Sequence, residues 1–463
     1  MVRTLTYGTM LVLAVAPAAR AQASVDDPAL RELLAEAVQA SPEVAQARAE
    51  VEAQRARVPQ AGALPDPSLT LGIQNDGFKS ITVGSAETSF INIMLTQPLP
   101  WPGKRGLREQ VASLDARQAE ARLARAMLDL EGRVRRAYLG LLLTRGQLEL
   151  LDEQEKLWAQ AEQTARSRYE AGQAPQSDLL RAQLERARIV QRRWGLEADA
   201  ATRVAELERL RGPRTGPTLP MGAPLREMAD PPVPPEEPAQ ADAEQRSPEV
   251  LFATLGLEQA GRRVELARRE RAPDLAIAAA VMPRGSMDPM WSLGVTVGLP
   301  IFAGRKQQRA VDESEQRRIG QAQGAEAVRQ ILRLRIRERL AVLVALNRTN
   351  GQYRRQVLVL SAAAAKSTLT QYEAGRVPFA AVLEALLGYV ADRAGHLASV
   401  AQAQLVAVAQ RELSLEPVPV LGGGMGGSAM PGTSALPASA VAAPVTNPSG
   451  DGAQERAPGM KGM

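Results

Sequence analysis

Leu99-Pro100-Trp101-Pro102-Gly103-Lys104 returns, loosened, as Leu299-Pro300-Ile301-Phe302-Ala303-Gly304-Arg305. It is the middle of three such echoes. Ser41-Pro42-Glu43-Val44 stands before it and returns as Ser247-Pro248-Glu249-Val250, and Tyr169-Glu170-Ala171-Gly172 stands after it and returns unchanged as Tyr372-Glu373-Ala374-Gly375. The offsets are 206, 200 and 203 residues, so only small insertions separate the copies. One match is within reach of chance; three collinear matches predict internal duplication and a pseudosymmetric architecture.

Outward from the proline-glycine motif, each half carries two segments of period two. Leu69, Leu71 and Ile73 alternate with Ser68, Thr70, Gly72 and Gln74, and Ile91, Ile93 and Leu95 alternate with Asn92, Met94 and Thr96. In the second half Leu275, Ile277, Ala279 and Val281 alternate with small residues, and Trp291, Leu293, Val295, Val297 and Leu299 alternate with Ser292, Gly294, Thr296 and Gly298. This is strand patterning with one greasy face and one small or polar face. It fits a half-buried antiparallel hairpin in a soluble domain. It fits equally a transmembrane barrel, whose apolar face meets lipid while the small polar face lines a lumen. Four strands cannot close a barrel, since the smallest have about eight. A chain inserting four would have to oligomerise to leave no edge unpaired in lipid.

Helices fill the rest. One is predicted over roughly Asp27 to Val58, ending at Pro59 through Pro67, and its copy over Gln240 to Arg271, ending at Pro273. From Lys104 to about Arg168 no proline occurs, and Met127, Val134, Leu141 and Leu148 alternate with Leu130, Ala137, Leu151 and Trp158 in coiled-coil register. At 1.5 Å per residue that is a rod of about 100 Å. A second rod runs from about Gln308 to Gln371, with Val328, Leu332, Ile336, Leu340, Leu343 and Leu346 on one stripe. Both rods end at the Tyr-Glu-Ala-Gly turn, where Gly172 and Gly375 suit the left-handed position that terminates a helix. Pro175 and Pro378 enforce the break, Ser177 offers an N-cap with Asp178 in the first turn, and return helices run to Arg211 and to Leu415. Each half is thus a helical hairpin whose far end feeds strands.

Composition fixes the surroundings. Arg3, the apolar run Met10 to Ala16 and the small residues Ala19-Arg20-Ala21 form a secretory signal peptide pattern over 1–21. A short buried N-terminal helix is the alternative. There is no cysteine, hence no disulfide and no thiol for a lipid anchor. Beyond the signal region no run of about eighteen apolar residues occurs, which excludes an ordinary helical span. The net charge of +5 comes from 56 basic and 51 acidic residues scattered along helices, and aromatics are 3%. That balance speaks for solvated faces and against a nucleic-acid partner. The predicted organisation is a signal peptide (1–21), a first repeat (22–211), a proline-rich connection (212–238), a second repeat (239–415) and a disordered low-complexity tail (416–463).

Together these features resemble the TolC-type outer membrane efflux proteins over roughly residues 27 to 415. The carrying residues are Gln97-Pro98-Leu99-Pro100-Trp101-Pro102-Gly103-Lys104-Arg105, Leu299-Pro300-Ile301-Phe302 and the two Tyr-Glu-Ala-Gly turns. The resemblance implies a mainly α fold with a membrane β-barrel. Each chain of a homotrimer would give four strands to a twelve-stranded barrel and its helices to a periplasmic α-barrel. It further implies an outer-membrane exit duct served by an inner-membrane pump of the resistance-nodulation-division type and a periplasmic adaptor. The segment from Met282 to Trp291 looks like a hairpin loop of the heavy-metal (CusC/CzcC-like) branch, and Met282, Met287 and Met290 could hold a soft ion. They could as well be plain loop residues. Met425, Met430, Met460 and Met463 in the tail invite the same thought but lack flanking His or Cys.

No catalytic set and no cofactor site is expected. His396 is the sole histidine and falls within a predicted helix, which rules out His-based acid-base chemistry, triads and His-rich zinc sites. The resemblance instead implies a pore constriction just after the second helical tip. One of its acidic positions falls on Glu384; the other falls on Ala381, a departure from the pattern, and Asp178 holds the matching place in the first half. Tyr169, Gly172, Tyr372 and Gly375 mark the tip turns. An exported coiled-coil scaffold, or a periplasmic adaptor without a pore, is the competing reading.

Overall fold

Serine, proline and glycine punctuate this chain more finely than its hydrophobic period suggests. The structure, a computed structural model, describes residues 28–212 and 222–418, which belong to one compact unit. The signal peptide, part of the inter-repeat connection and nearly all of the tail lie outside the described residues. In order come α1 (Pro28–Ala40), α2 (Pro42–Gly62), β1 (Ser68–Gln74), β2 (Phe90–Leu99), α3 (Lys104–Glu170) and α4 (Gln176–Arg211). The second repeat supplies α5 (Glu236–Arg246), α6 (Pro248–Arg269), β3 (Leu275–Arg284), β4 (Met287–Val297), α7 (Gln307–Gln352), α8 (Leu358–Glu373) and α9 (Phe379–Glu412).

The first repeated motif proves to be a helix start. Ser41 and Ser247 each accept the N–H three residues on, from Val44 and Val250, at 3.3 Å, with proline at the first helical position and glutamate in the first turn. Each predicted single helix is therefore two, α1 with α2 and α5 with α6. Pro59, expected as a breaker, lies inside α2, which continues to Gly62. It sits in the last turn, so the one i−4 bond it removes and any bend it causes are followed by only three more helical residues. The connection likewise ends earlier than 238, because α5 starts at Glu236 behind an extended Pro235 and takes Pro238 into its first turn.

The four strands form one antiparallel sheet in the order β1-β2-β3-β4. Its registers align Leu69, Leu95, Ala279 and Leu293 in one row, and Leu71, Ile93, Val281 and Trp291 in the next. The opposite face aligns Thr70, Met94, Ala280 and Ser292. Among the described residues nothing covers the apolar face: Leu71 is 68% exposed and Leu293 68%. That argues against the half-buried hairpin, whose greasy side would pack on a core. Leu299, expected as the last residue of β4, instead lies past its end, just before the turn that starts at Ile301.

At 67 residues, α3 is the rod the pattern demands. Its inward stripe, Leu130, Val134, Ala137 and Leu141, is buried with α1, α4 and α9, and further along Leu151 and Trp158 join Val382 and Leu386 of α9. The second rod is not one α-helix: a π-turn over Tyr353–Val357 separates α7 from α8. A π-turn admits an extra residue without ending the helix. At this turn Arg354 pairs with Asp230 of the connection, while Asn350 donates to the same carboxylate at 3.0 Å and Asn347 to the Pro231 carbonyl at 2.8 Å.

Where rods meet sheet, Lys104 is 2% exposed, and its Nζ donates to Asp274 Oδ1 at 2.7 Å and to the Ala272 carbonyl at 2.9 Å. The Trp101 N–H reaches the same carboxylate at 2.8 Å. Burial works against the charge on Asp274, but the Lys104 ammonium and the Trp101 N–H outweigh it and hold the carboxyl below its ordinary range. The second motif is thus a strut between repeats.

Further down, Glu412 is 4% exposed and Arg136 Nη1 contacts both its oxygens at 2.6 Å. Burial pushes the Glu412 carboxyl up against that attraction. The carboxyl fits only because residue 132 is glycine: a Cβ there would fall 0.9 Å from Glu412 Oε1. Gly132→Ala is expected to cost about 1–3 kcal/mol through overpacking, read from denaturant unfolding followed by circular dichroism. Most of that cost should vanish in a Glu412→Ala background, and an unchanged cost there would refute the steric account.

Candidate gate at the helical tips

The two tips are built alike. After α3, Gly172 sits at φ 70° and donates to the Tyr169 carbonyl at 2.9 Å, and Gln173 donates to the Arg168 carbonyl at 2.8 Å. After α8, Gly375 sits at φ 74° and donates to the Tyr372 carbonyl at 2.9 Å, and Arg376 donates to the Gln371 carbonyl at 2.8 Å. Paired bonds of this type with glycine in the left-handed region are a helix stop, as both Tyr-Glu-Ala-Gly turns predict. The return helices start differently from expectation. Pro175 and Pro378 are the capping positions, extended and without a side-chain cap, so Ser177 lies inside the first turn of α4 and not at its cap. Asp178 is in that first turn, as expected.

The side chains break the symmetry. Tyr372 is 1% exposed, whereas its counterpart Tyr169 is 42% exposed. The Arg168 guanidinium lies 4.6 Å over the Tyr372 ring and also donates to the Tyr372 carbonyl. The Tyr372 hydroxyl donates to Asp178 Oδ2 at 3.3 Å, and its ring meets Phe379 edge-on at 5.4 Å. Burial and then the Asp178 carboxylate push the Tyr372 hydroxyl up to about 12, so it keeps its proton and stays a donor. The first hairpin thus clasps the second through Arg168 and Asp178. At the offset of 203 residues, the positions equivalent to Arg168 and Asp178 are Gln371 and Ala381. They offer no cation and no carboxylate to Tyr169.

Glu384 is exposed on α9, between the buried Val382 and Leu386. Among the described residues no hydrogen bond or ion pair joins it to Asp178, so the two acidic candidates are not brought into one cluster within the chain. His396 is buried with its ring 5.6 Å from that of Tyr353. Burial first, then the Arg354 charge, lower its pKa, so it is a neutral packing residue. No group of three or more His, Cys, Asp or Glu that could hold a metal occurs among the described residues. Nor is any described helix long and apolar enough to cross a membrane. Sequence reasoning missed Arg168. Its only trace is that the residue before the repeated tyrosine is arginine in one copy and glutamine in the other.

Long paired helices joined to a small antiparallel sheet with one bare apolar face are the architecture of solved outer-membrane channels. Residues 33–213 match the outer membrane efflux protein family. No curated protein matches the chain. Among solved structures it is similar to CusC, a protein that forms a transmembrane channel, with TM-score 0.70 at 17% identity over 84% of this chain and 92% of that one. VceC, an outer membrane protein of Vibrio cholerae, gives 0.68 at 17% identity over 83% and 95%. The open state of the MtrE outer membrane channel of Neisseria gonorrhoeae gives 0.67 at 18% identity over 83% and 89%. The family match thus rests on residues 33–213, and the described chain has the fold of these solved channels.

Tyr372→Phe removes one hydroxyl from the clasp without altering the ring. It is expected to weaken the tip by about 0.5–1.5 kcal/mol, seen as faster amide hydrogen exchange over residues 168–178. Unchanged exchange there would mean that the ring contacts alone hold the joint.

Proposed function

We propose that this protein is the passive outer-membrane exit duct of a tripartite efflux system. In this reading three copies close a twelve-stranded barrel through the edges left open on β1 and β4, and the apolar sheet face meets lipid. The rods assemble into a periplasmic tunnel, loaded by an inner-membrane pump of the resistance-nodulation-division type through a periplasmic adaptor. The observation that carries the reading is the sheet: four antiparallel strands with complete segregation of Leu, Ile and Val from Ser, Thr and Gly, joined to a 67-residue rod. In lipid every backbone group needs an internal partner, so open edges demand further strands. An adaptor or an exported scaffold leaves the bare apolar face without a purpose. No reaction chemistry is needed, because energy comes from the pump; the cargo class is metal ions or small toxic compounds.

The tips form the closed end. Around a threefold axis, three copies of Glu384 make an acidic ring favouring cations, with Asp178 as a second carboxylate set back in the clasp. A tip joint between copies would set Tyr169 against Gln371 and Ala381, which supply neither an ion over the ring nor an acceptor for the hydroxyl. The joint within each chain is then the tighter of the two.

Extraction in mild detergent followed by light scattering and circular dichroism should give a mostly helical trimer, and a soluble species released without detergent would overturn the duct. In planar bilayers Glu384→Ala is expected to raise conductance or weaken cation preference, and unchanged current and selectivity would remove Glu384 from the gate. A lysine at Val295 should destabilise by about 2–4 kcal/mol near mid-membrane, and at Thr296 by much less; equal effects at both would mean that the face assignment is wrong.

A further inference from the structure

Three methionines stand on the wrong side of the sheet for ordinary packing. In the registered rows the apolar face is built from Leu, Ile, Val, Ala and Trp, with Gln97 level with Ile277 and Val295, and contains no methionine. Met94, Met282 and Met290 lie on the other face, the one carrying Thr70, Ser292, Gly294 and Thr296. Met282 and Met290 are direct cross-strand partners on β3 and β4. Met94 on β2 pairs with Ala280, one same-face position before Met282 on β3, and is thus the diagonal neighbour of Met282. Side chains directly opposite one another have Cβ atoms about 4.5–5.5 Å apart, and diagonal ones about 7–8 Å, within reach of long side chains. All three are half-buried. Methionine is flexible enough for three thioethers to converge.

Resting on the duct reading, in which this face lines the lumen, we propose that Met94, Met282 and Met290 form a thioether site for a soft monovalent metal cation, Cu(I) or Ag(I). Neutral thioethers suit such an ion and discriminate against Mg(II), Ca(II) and Mn(II), which prefer oxygen. The four strands contain a single carboxylate, Asp288, two residues beyond Met290 toward the turn, and a single base, Arg284, whose Nε is engaged by the Asp288 carbonyl at 2.9 Å. Asp288 is thus the one carboxylate that the described strands themselves contribute. Met287, which the loop reading groups with Met282 and Met290, pairs with Arg284 beyond a break in the register and is not counted among the ligands. The turn itself is braced: Gly285 packs so closely on Gly84 of the other hairpin loop that a Cβ on it would lie 2.6 Å from the Gly84 Cα, and Ser286 donates to the Gly84 carbonyl at 3.0 Å. That contact holds the second hairpin at the end where the methionines sit.

The test is silver block of current through the detergent-purified full chain in planar bilayers, in chloride-free nitrate, each protein compared with its own silver-free current. Native protein should be blocked by Ag(I) and not by Mg(II) at the same concentration. The M282L/M290L variant should need at least tenfold more Ag(I) for half-block, M94L should fall between, and M127L, altered in the helical core, should match native. Equal silver sensitivity of native and M282L/M290L, or equal block by Mg(II), would overturn the site while leaving the duct intact. A native protein that forms no trimer and carries no current would overturn the duct reading and the site with it.

Discussion

The structure depends on joining two kinds of repeat that have no common period. A helix advances 1.5 Å per residue and a strand more than twice that, so a rod of 67 residues cannot continue into a sheet without a rigid joint. The Lys104–Asp274 pair is that joint. Its lysine starts the first rod, its carboxylate opens β3, and the Trp101 N–H closes the third side. Because the partners come from different repeats, the same contact that fixes rod to sheet fixes one half of the chain to the other. A buried ammonium without its carboxylate would be strongly unfavourable, which makes the arrangement all-or-none.

Duplication supplies the pseudosymmetry, and the departures from it carry the specific properties of the chain. Both tips have the same backbone stop, yet only one tyrosine is clasped, because Arg168 and Asp178 have become Gln371 and Ala381 in the second copy. Both rods have the same length scale, yet only the second carries a π-turn, where Arg354 and Asn350 hold Asp230 of the connection. Even the helix starts at Ser41 and Ser247 are equal in geometry and unequal in surroundings. Glu249 is tied to Arg125 at 3.0 Å and Glu43 to Arg133, so each start docks on a different part of α3.

Much of the fold was legible in the residues. The strands follow from period two, though not their limits, since β2 and β3 run on to Leu99 and Arg284 and β4 spans Met287–Val297; the rods follow from heptad spacing, and the tips from Tyr-Glu-Ala-Gly with proline behind it. Boundaries failed where local chemistry overrode the wider pattern: Ser41 and Ser247 restart helices inside segments read as single helices, and Pro59 is tolerated in a final turn. At the candidate gate, Asp178 and the tip glycines were readable, but Arg168 was not. Its partner is a ring two hundred positions away, and a surface arginine on a helix carries no local sign of the aromatic it will cover.

The sequence alone determined the duplicated hairpins, the alternating strands and the helix stops, because each depends on residues within a few positions of one another. Only the tertiary structure decided which residues meet across repeats: Lys104 with Asp274, Tyr372 with Asp178, Gly132 with Glu412, and three methionines on one sheet face. Those contacts depend on register and on the angle at which rods pack. Such quantities are set by the whole folded chain, and no local pattern encodes them.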